Sequence, residues 1–285
     1  MQLTTYTVAG EFLADVQSTL EEQETANSLL LGLAQRLHDH PDYYTTKPYL
    51  ATVHDGPRLV VVALMTPPHK LLVTGMANSA FSSFALVAED LLAGGWAAPG
   101  VNGPAQWSTA FAREWSTRSG QRATVAMRLR AYQLEQVDPP TYPRGMMRPA
   151  TAADAPLLAG WLQSFGRETG TDPNADIEAA RASVERALAY GSFYLWDDGG
   201  AVALAGKGRP TRHSVAIGPV YTPPAARRRG YASALVAMLS QRLLQEGKRY
   251  ITLFTDLANP TANHIYQQIG FRPLVDFVEF EFSST

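Results

Sequence analysis

The chain has 285 residues, 46% hydrophobic and 18% charged, the composition of a well-packed globular protein with room for two domains of roughly 150 residues. Its 24 basic and 26 acidic side chains leave a formal charge of −2, which argues against a surface built for nucleic acid or an anionic membrane, since both favour clustered positive charge. Without cysteine there is no disulfide, no thiolate metal site and no cysteine nucleophile.

Met1 to Tyr6 carries neither a basic stretch nor an apolar run, so no signal peptide is expected. The longest apolar runs, such as Leu59 to Met65, are too short to span a bilayer, and a cytoplasmic location is the expectation. Phe12 to His38 reads as one helical stretch closed by Pro41. Tyr49 to Val53 and Arg58 to Met65 read as strands joined by the turn signal Asp55-Gly56-Pro57, and Lys70 to Thr74 as a third. Ser79 to Leu92 and Pro104 to Thr117 read as helices, the glycine-rich Gly100 to Pro104 between them as a loop, and Arg122 to Leu134 as a long strand. Trp96, Trp107 and Trp115 at these spacings read as core, with a pocket lining as the alternative. His38-Asp39-His40 reads as a helix end rather than a metal site, so no metal is expected.

Val137 to Gly145 packs prolines at 139, 140 and 143 and a glycine at 145 into a segment that suits neither a helix nor a central strand. A linker at 139–145 therefore separates 1–138 from 146–285. Beyond it come a strand at Met147 to Ala150, helices at Asp154 to Phe165 and Ala175 to Ala189, and strands at Ser192 to Trp196, Ala201 to Ala205 and Ser214 to Tyr221. A helix, a strand at Tyr250 to Thr255, a short helix and a strand at Val278 to Phe282 complete the chain. The order resembles that of the first half and suggests a duplication diverged beyond recognisable repeats.

The chemistry concentrates after the strand ending Val220-Tyr221-Thr222. Arg227-Arg228-Arg229-Gly230-Tyr231-Ala232-Ser233 opens a helix whose Ala232, Leu235, Val236, Leu239 and Leu243 form one apolar face. The first N–H groups of a helix lack intrahelical partners and sit at the positive end of its dipole; Gly230 admits a phosphate to the backbone, and arginines bind phosphate bidentately. A solvated basic turn is the alternative. After the next strand, Asn259-Pro260 starts a helix that Gly270 stops, with Asn259, Asn263 and Tyr266 on one face and Ala262, Ile265 and Ile269 on another.

Arg227-Arg228-Arg229-Gly230-Tyr231-Ala232 resembles the Gln/Arg-x-x-Gly-x-Gly/Ala signature of the GNAT acetyltransferase superfamily, and Asn259, Asn263, Tyr266 and Gly270-Phe271 resemble its second signature at the expected distance. The resemblance covers roughly Met147 to Phe282. It implies an α/β (α+β) fold of tandem GNAT-like domains, each a mixed, mostly antiparallel sheet flanked by helices, with a splay between the fourth and fifth strands. It also implies an acetyl-CoA-dependent N-acetyltransferase acting by direct transfer on a primary amine of a small molecule or peptide.

Val220, Tyr221 and Thr222 would offer backbone groups to the pantetheine arm, Arg227 to Ser233 would hold the pyrophosphate, and Asn259 and Asn263 would contact the cofactor. Tyr266 matches the family's usual general acid beside the departing thiolate. The family's frequent glutamate on the fourth strand is missing from His213 to Tyr221. Glu168 is the candidate for amine recognition or proton acceptance, with His213 a second; a solvated surface glutamate is the alternative. The segment 1–138 has no arginine loop and no Asn/Tyr helix, so it reads as a degenerate GNAT-like domain without a cofactor motif. Neither nucleic acid nor membrane is an expected partner. The alternative from another class is a catalytically silent acyl-CoA-binding module whose N-terminal domain binds a partner.

Overall fold

The computed structural model describes residues 1–44 and 46–284. The first half runs β1 (Gln2–Thr5), α1 (Ala9–Glu21), α2 (Ser28–Asp39), β2 (Tyr49–Asp55), β3 (Arg58–Met65), β4 (Leu71–Gly75), α3 (Ala80–Ala93), β5 (Gly100–Pro104), α4 (Ala105–Ser119) and β6 (Arg122–Leu134). The second runs β7 (Met146–Pro149), α5 (Ala155–Thr169), α6 (Ile177–Ala189), β8 (Phe193–Asp197), β9 (Ala201–Gly208), β10 (Ser214–Tyr221), α7 (Tyr231–Gln245), β11 (Tyr250–Asp256), α8 (Pro260–Gln268) and β12 (Arg272–Ser283). Short 3₁₀ turns aside, the second half repeats the element order of the first. The chain forms two compact units. One comprises residues 1–132 with 254–260 and the segment from Pro273 onward; the other comprises 133–253 with 261–272. The last strand thus belongs to the first unit, although it follows the proline-rich seam.

The sheet of the first unit has the order β1-β2-β3-β4-β5-β12-β6. Its β4–β5 pair is parallel, while β1–β2, β2–β3, β3–β4 and β5–β12 are antiparallel. The α1 and α2 helices bury Phe12, Val16, Leu20 and Leu31 on one face. The α3 and α4 helices bury Phe84, Leu91, Trp107, Phe111 and Trp115 on the other. Two expectations need revision here. The stretch 12–38 is two helices, because Asn27 turns back and its side-chain amide donates to the Leu20 carbonyl at 3.1 Å, satisfying the end of α1. The glycine-rich 100–104 is a strand, not a loop. A Cβ on Gly100 would stand 2.0 Å from the Phe280 carbonyl oxygen, and one on Gly103 would stand 2.3 Å from that of Val73. Glycine is there because backbones on both sides approach closely.

The sheet of the second unit has the order β7-β8-β9-β10-β11 and is antiparallel except for β10–β11. Leu158, Trp161, Val184, Leu195, Leu204 and Tyr221 form the core under α5 and α6. The α7 helix buries Ala234, Leu235, Leu239 and Leu243. It ends where Gly247, at φ +99°, donates to the Leu244 carbonyl and Lys248 to that of Leu243. Two features of β10 position the site. Its parallel pairing with β11 covers only Ser214–Ala216 against Tyr250–Thr252, so among the described residues that ladder does not reach the last five residues of β10. On its other side, Ile217 pairs with Lys207 but Val220 with Ala205, so β10 carries one extra residue, a bulge.

Candidate active site

The loop leaving β10 passes through a 3₁₀ turn, Pro224–Ala226, in which Ala226 N–H donates to the Pro223 carbonyl at 2.9 Å. It then bends twice through left-handed backbone, at Arg228 (φ +62°) and Gly230 (φ +78°). Gly230 is the N-cap of α7 and supplies no side-chain cap. The first intrahelical bond runs from Ala234 N–H to the Gly230 carbonyl at 3.0 Å. The amides of the first turn therefore have no intrahelical acceptor and no capping oxygen, the arrangement that receives an anion.

The three arginines do not share one environment. Arg227 donates through Nε to the Thr222 carbonyl at 2.9 Å and pairs through a terminal nitrogen with Glu168, and its guanidinium lies 5.8 Å from the centre of the Tyr221 ring. Glu168 also accepts from the Tyr221 hydroxyl at 2.9 Å. Glu168, Arg227, Thr222 and Tyr221 thus close a ring of contacts. Tyr221 is buried against Trp161, at 6.1 Å between centroids. Burial raises its pKa above the ordinary phenol value, and the bond to Glu168 adds to the rise. Arg228 and Arg229 are exposed, and among the described residues their side chains have no ion-pair partner. Of the three arginines expected at the phosphate, Arg227 is thus paired with Glu168, and Arg228 and Arg229 are not.

Tyr231, the first residue of α7, is buried and donates to Asp198 at 2.7 Å. No sequence signal pointed to Asp198, 33 residues upstream in the β8–β9 turn. Val220 follows the bulge, and Ala232 and Ser233 are half-buried in the first turn of α7. The Thr222 hydroxyl oxygen is buried without a hydrogen-bond partner.

On α8, Asn263 accepts at its carbonyl from the Gln267 side chain at 3.1 Å. Tyr266 is half-buried with Phe271 edge-on to it at 5.9 Å, and burial pushes its pKa up to about 12. Among the described residues its hydroxyl makes no hydrogen bond. Beyond α8, Asp138 N–H donates to the Ile269 carbonyl at 2.8 Å, and a Cβ on Gly270 would stand 2.8 Å from the Gln136 carbonyl. Asn259 precedes α8, its N–H donating to the Asp256 carbonyl at 3.0 Å. His213 lies at the start of β10, roughly 25 Å of extended strand from Tyr221.

In the first unit the loop between β4 and α3 is Met76-Ala77-Asn78-Ser79, without arginine. A Cβ on Gly75 would stand 2.9 Å from the Trp107 ring, and Phe81 lies 4.8 Å from that ring between centroids. Trp107 and Trp115 are core, and Trp96 packs at its edge. Among the described residues no three His, Asp or Glu side chains converge as metal ligands, and no helix is long and apolar enough to cross a membrane.

Residues 156–271 match the family model of the acetyltransferase (GNAT) family. No curated protein matches by sequence. Solved structures share the fold at low identity. A GCN5-related N-acetyltransferase from Sphaerobacter thermophilus superposes with a TM-score of 0.63 at 16% identity, over 98% of this chain and 94% of that one. A GNAT-family acetyltransferase from Colwellia psychrerythraea gives 0.59 at 14%, over 99% and 100%. A tandem GNAT protein from the clavulanic acid biosynthesis pathway gives 0.59 at 12%, over 99% and 98%. The chain has the tandem GNAT fold, a mixed and mostly antiparallel sheet flanked by helices, and its segment 156–271 matches the model of the acetyltransferase (GNAT) family.

Proposed function

We propose that the second unit is an N-acetyltransferase that binds acetyl-CoA and passes the acetyl group directly to a primary amine of a small molecule or peptide. The observation that carries this reading is the uncapped amino terminus of α7, at the end of a strand whose pairing with its parallel neighbour has stopped. The residues suit the donor. Free amides and the unpaired Arg228 and Arg229 match a diphosphate, and the orphaned Thr222 hydroxyl is a buried polar atom waiting for a partner. Backbone groups of Val220, Tyr221 and Thr222 would hold the pantetheine arm, amides from Gly230 to Ser233 the phosphates, and Asn263 the cofactor from the next helix. When bound, the donor supplies an activated thioester.

Tyr266 serves the departing sulfur. With its pKa at about 12 the phenol keeps its proton throughout the working range, and a thiol near 8.5 is the stronger acid. The hydroxyl therefore stabilises developing negative charge by donating a hydrogen bond rather than surrendering the proton. Its lack of a protein partner leaves that bond available. Glu168 fits the base role less well, because each of its oxygens already accepts from a neighbour. We assign it to positioning Arg227 and Tyr221, with the amine arriving as the free base.

Coenzyme A release over a panel of amines tests the reading, with Tyr266→Phe expected to lower kcat by about a hundredfold while donor binding persists. Tight acetyl-CoA binding without turnover of any amine would favour a silent acyl-CoA-binding module instead. No calorimetric binding of coenzyme A to the folded chain would end both.

A further inference from the structure

The loop between β10 and α7 is bent in a way that its own residues do not hold. Arg228 takes φ +62°, a left-handed conformation that is costly for a residue with a Cβ, and Gly230 follows at φ +78°. Packing does not secure the second bend, since a Cβ built on Gly230 would meet only Cδ of Pro143, at 4.0 Å. Gly230 offers no capping side chain, and Arg228 and Arg229 reach no ion-pair partner among the described residues. The bends are fixed instead from their two ends. Upstream, Arg227 is tied to the Thr222 carbonyl and to Glu168. Downstream, the buried Tyr231 donates to Asp198 at 2.7 Å, and among the described residues no other side-chain hydrogen bond reaches the first turn of α7.

Asp198 is suited to be the immobile end of that bond. Its N–H donates to the Gly200 carbonyl at 3.0 Å, closing the β8–β9 turn, and Gly200 N–H donates to Asp197 Oδ1 at 2.9 Å. The other oxygen of Asp197 accepts from Arg148 at 2.8 Å. Arg148 in turn forks onto both oxygens of Asp154, ahead of α5, at 2.8 and 2.9 Å. The turn is therefore pinned to the body of the second unit by charge-assisted bonds, which are stronger than neutral ones. Arg144 Nε, 3.6 Å from the second oxygen of Asp198, balances part of its charge, so no bare carboxylate stands beside amides that receive an anion.

We propose that Asp198 is a positioning residue: through the Tyr231 hydroxyl it sets the direction of the free amides that open α7. The role rests on the acyl-CoA reading above. Asp198 itself would touch neither the donor nor the amine. It holds Tyr231, next to the second bend, so that the loop cannot relax toward negative φ and turn its N–H groups away.

The test is calorimetric titration of the intact chain with coenzyme A, for wild type, Asp198→Ala, Asp198→Asn, Tyr231→Phe and the Asp198→Ala/Tyr231→Phe double variant, each beside a thermal unfolding curve. Asp198→Ala and Tyr231→Phe should each weaken binding about tenfold, the size of one hydrogen bond to a charged group. The double variant should be no weaker than either single one, because both remove the same bond. Asp198→Asn keeps a carbonyl acceptor for the hydroxyl and should return affinity to within about threefold of wild type. Unchanged affinity in Tyr231→Phe, losses that multiply in the double variant, or an asparagine variant as weak as the alanine one would each overturn the positioning role while leaving the acetyltransferase reading standing. Should Asp198→Ala fail to fold, Tyr231→Phe, which keeps the ring and its packing, and Asp198→Asn decide the matter. Absence of coenzyme A binding by wild type would overturn both.

Discussion

The Tyr221 hydroxyl meets Glu168 because β10 carries one residue too many. With the bulge, Tyr221 pairs with Leu204 and shares its face with Trp161 under α5. Continued without a bulge from Ile217–Lys207, the ladder would set residue 221 opposite residue 203, and strand alternation would turn Tyr221 to the other face. A single inserted residue thus ties α5 to the anion loop through Glu168.

That connection predicts the behaviour of Glu168→Gln. Both partners of the Glu168–Arg227 pair are more than 40% exposed, so its loss should cost at most about 1 kcal/mol. The expected outcome is a two- to fivefold rise in KM for acetyl-CoA, in line with that magnitude, with kcat nearly unchanged. A collapse of kcat by about a hundredfold with KM preserved would mark Glu168 as the base. Steady-state kinetics with acetyl-CoA as the varied substrate decides between them.

Gly230→Ala should fold. A Cβ there meets nothing closer than 4.0 Å, so the penalty is conformational, about 1–2 kcal/mol for holding alanine at φ +78°. The loop should relax toward negative φ and coenzyme A affinity should fall about tenfold or more, measurable by calorimetry beside a melting curve.

Alkaline pH should destabilise the protein in a defined window. Burial raises Tyr266 and Tyr6 from 10 to about 12 in the folded chain. The folded state therefore keeps these protons where the unfolded state loses them. Stability is intact below pH 10 and declines as pH rises from 10 to 12. Tyr266→Phe should shrink the decline, as followed by chemical denaturation at stepped pH. Below pH 10 the rate should track the free-base fraction of the amine, with no falling limb from Tyr266.

Deleting residues 273–285 should damage the half of the chain that precedes the linker. The β12 strand lies between β5 and β6, and its Phe277 and Val278 are almost wholly buried. Uncovering such side chains costs about 1.5–3 kcal/mol each and exposes the edge of β5. Residues 1–138 expressed alone should show low melting cooperativity and weak amide protection in β5 and β6 by hydrogen exchange.

Calorimetry should count one coenzyme A per chain. The first unit lacks arginines between β4 and α3, and Trp107 fills the space beside Gly75. Two equivalent sites would contradict this.

From the residues alone one could read the helices and most strands, the repeated order of the halves, and the arginine–glycine loop before α7 with Tyr266 on the next helix. These are matters of local backbone hydrogen bonding and side-chain period, which a few neighbouring residues settle. What only the tertiary structure decided depends on partners distant in the chain. Gly100–Pro104 became a strand because Val73 and Phe280 approach it from either side. The Glu168–Arg227–Tyr221 ring needed a bulge, and the Tyr231–Asp198 contact needed the β8–β9 turn brought under α7. The final strand joined the first unit because unpaired backbone groups along β5 are satisfied by whichever strand can reach them, and sequence order does not constrain that choice.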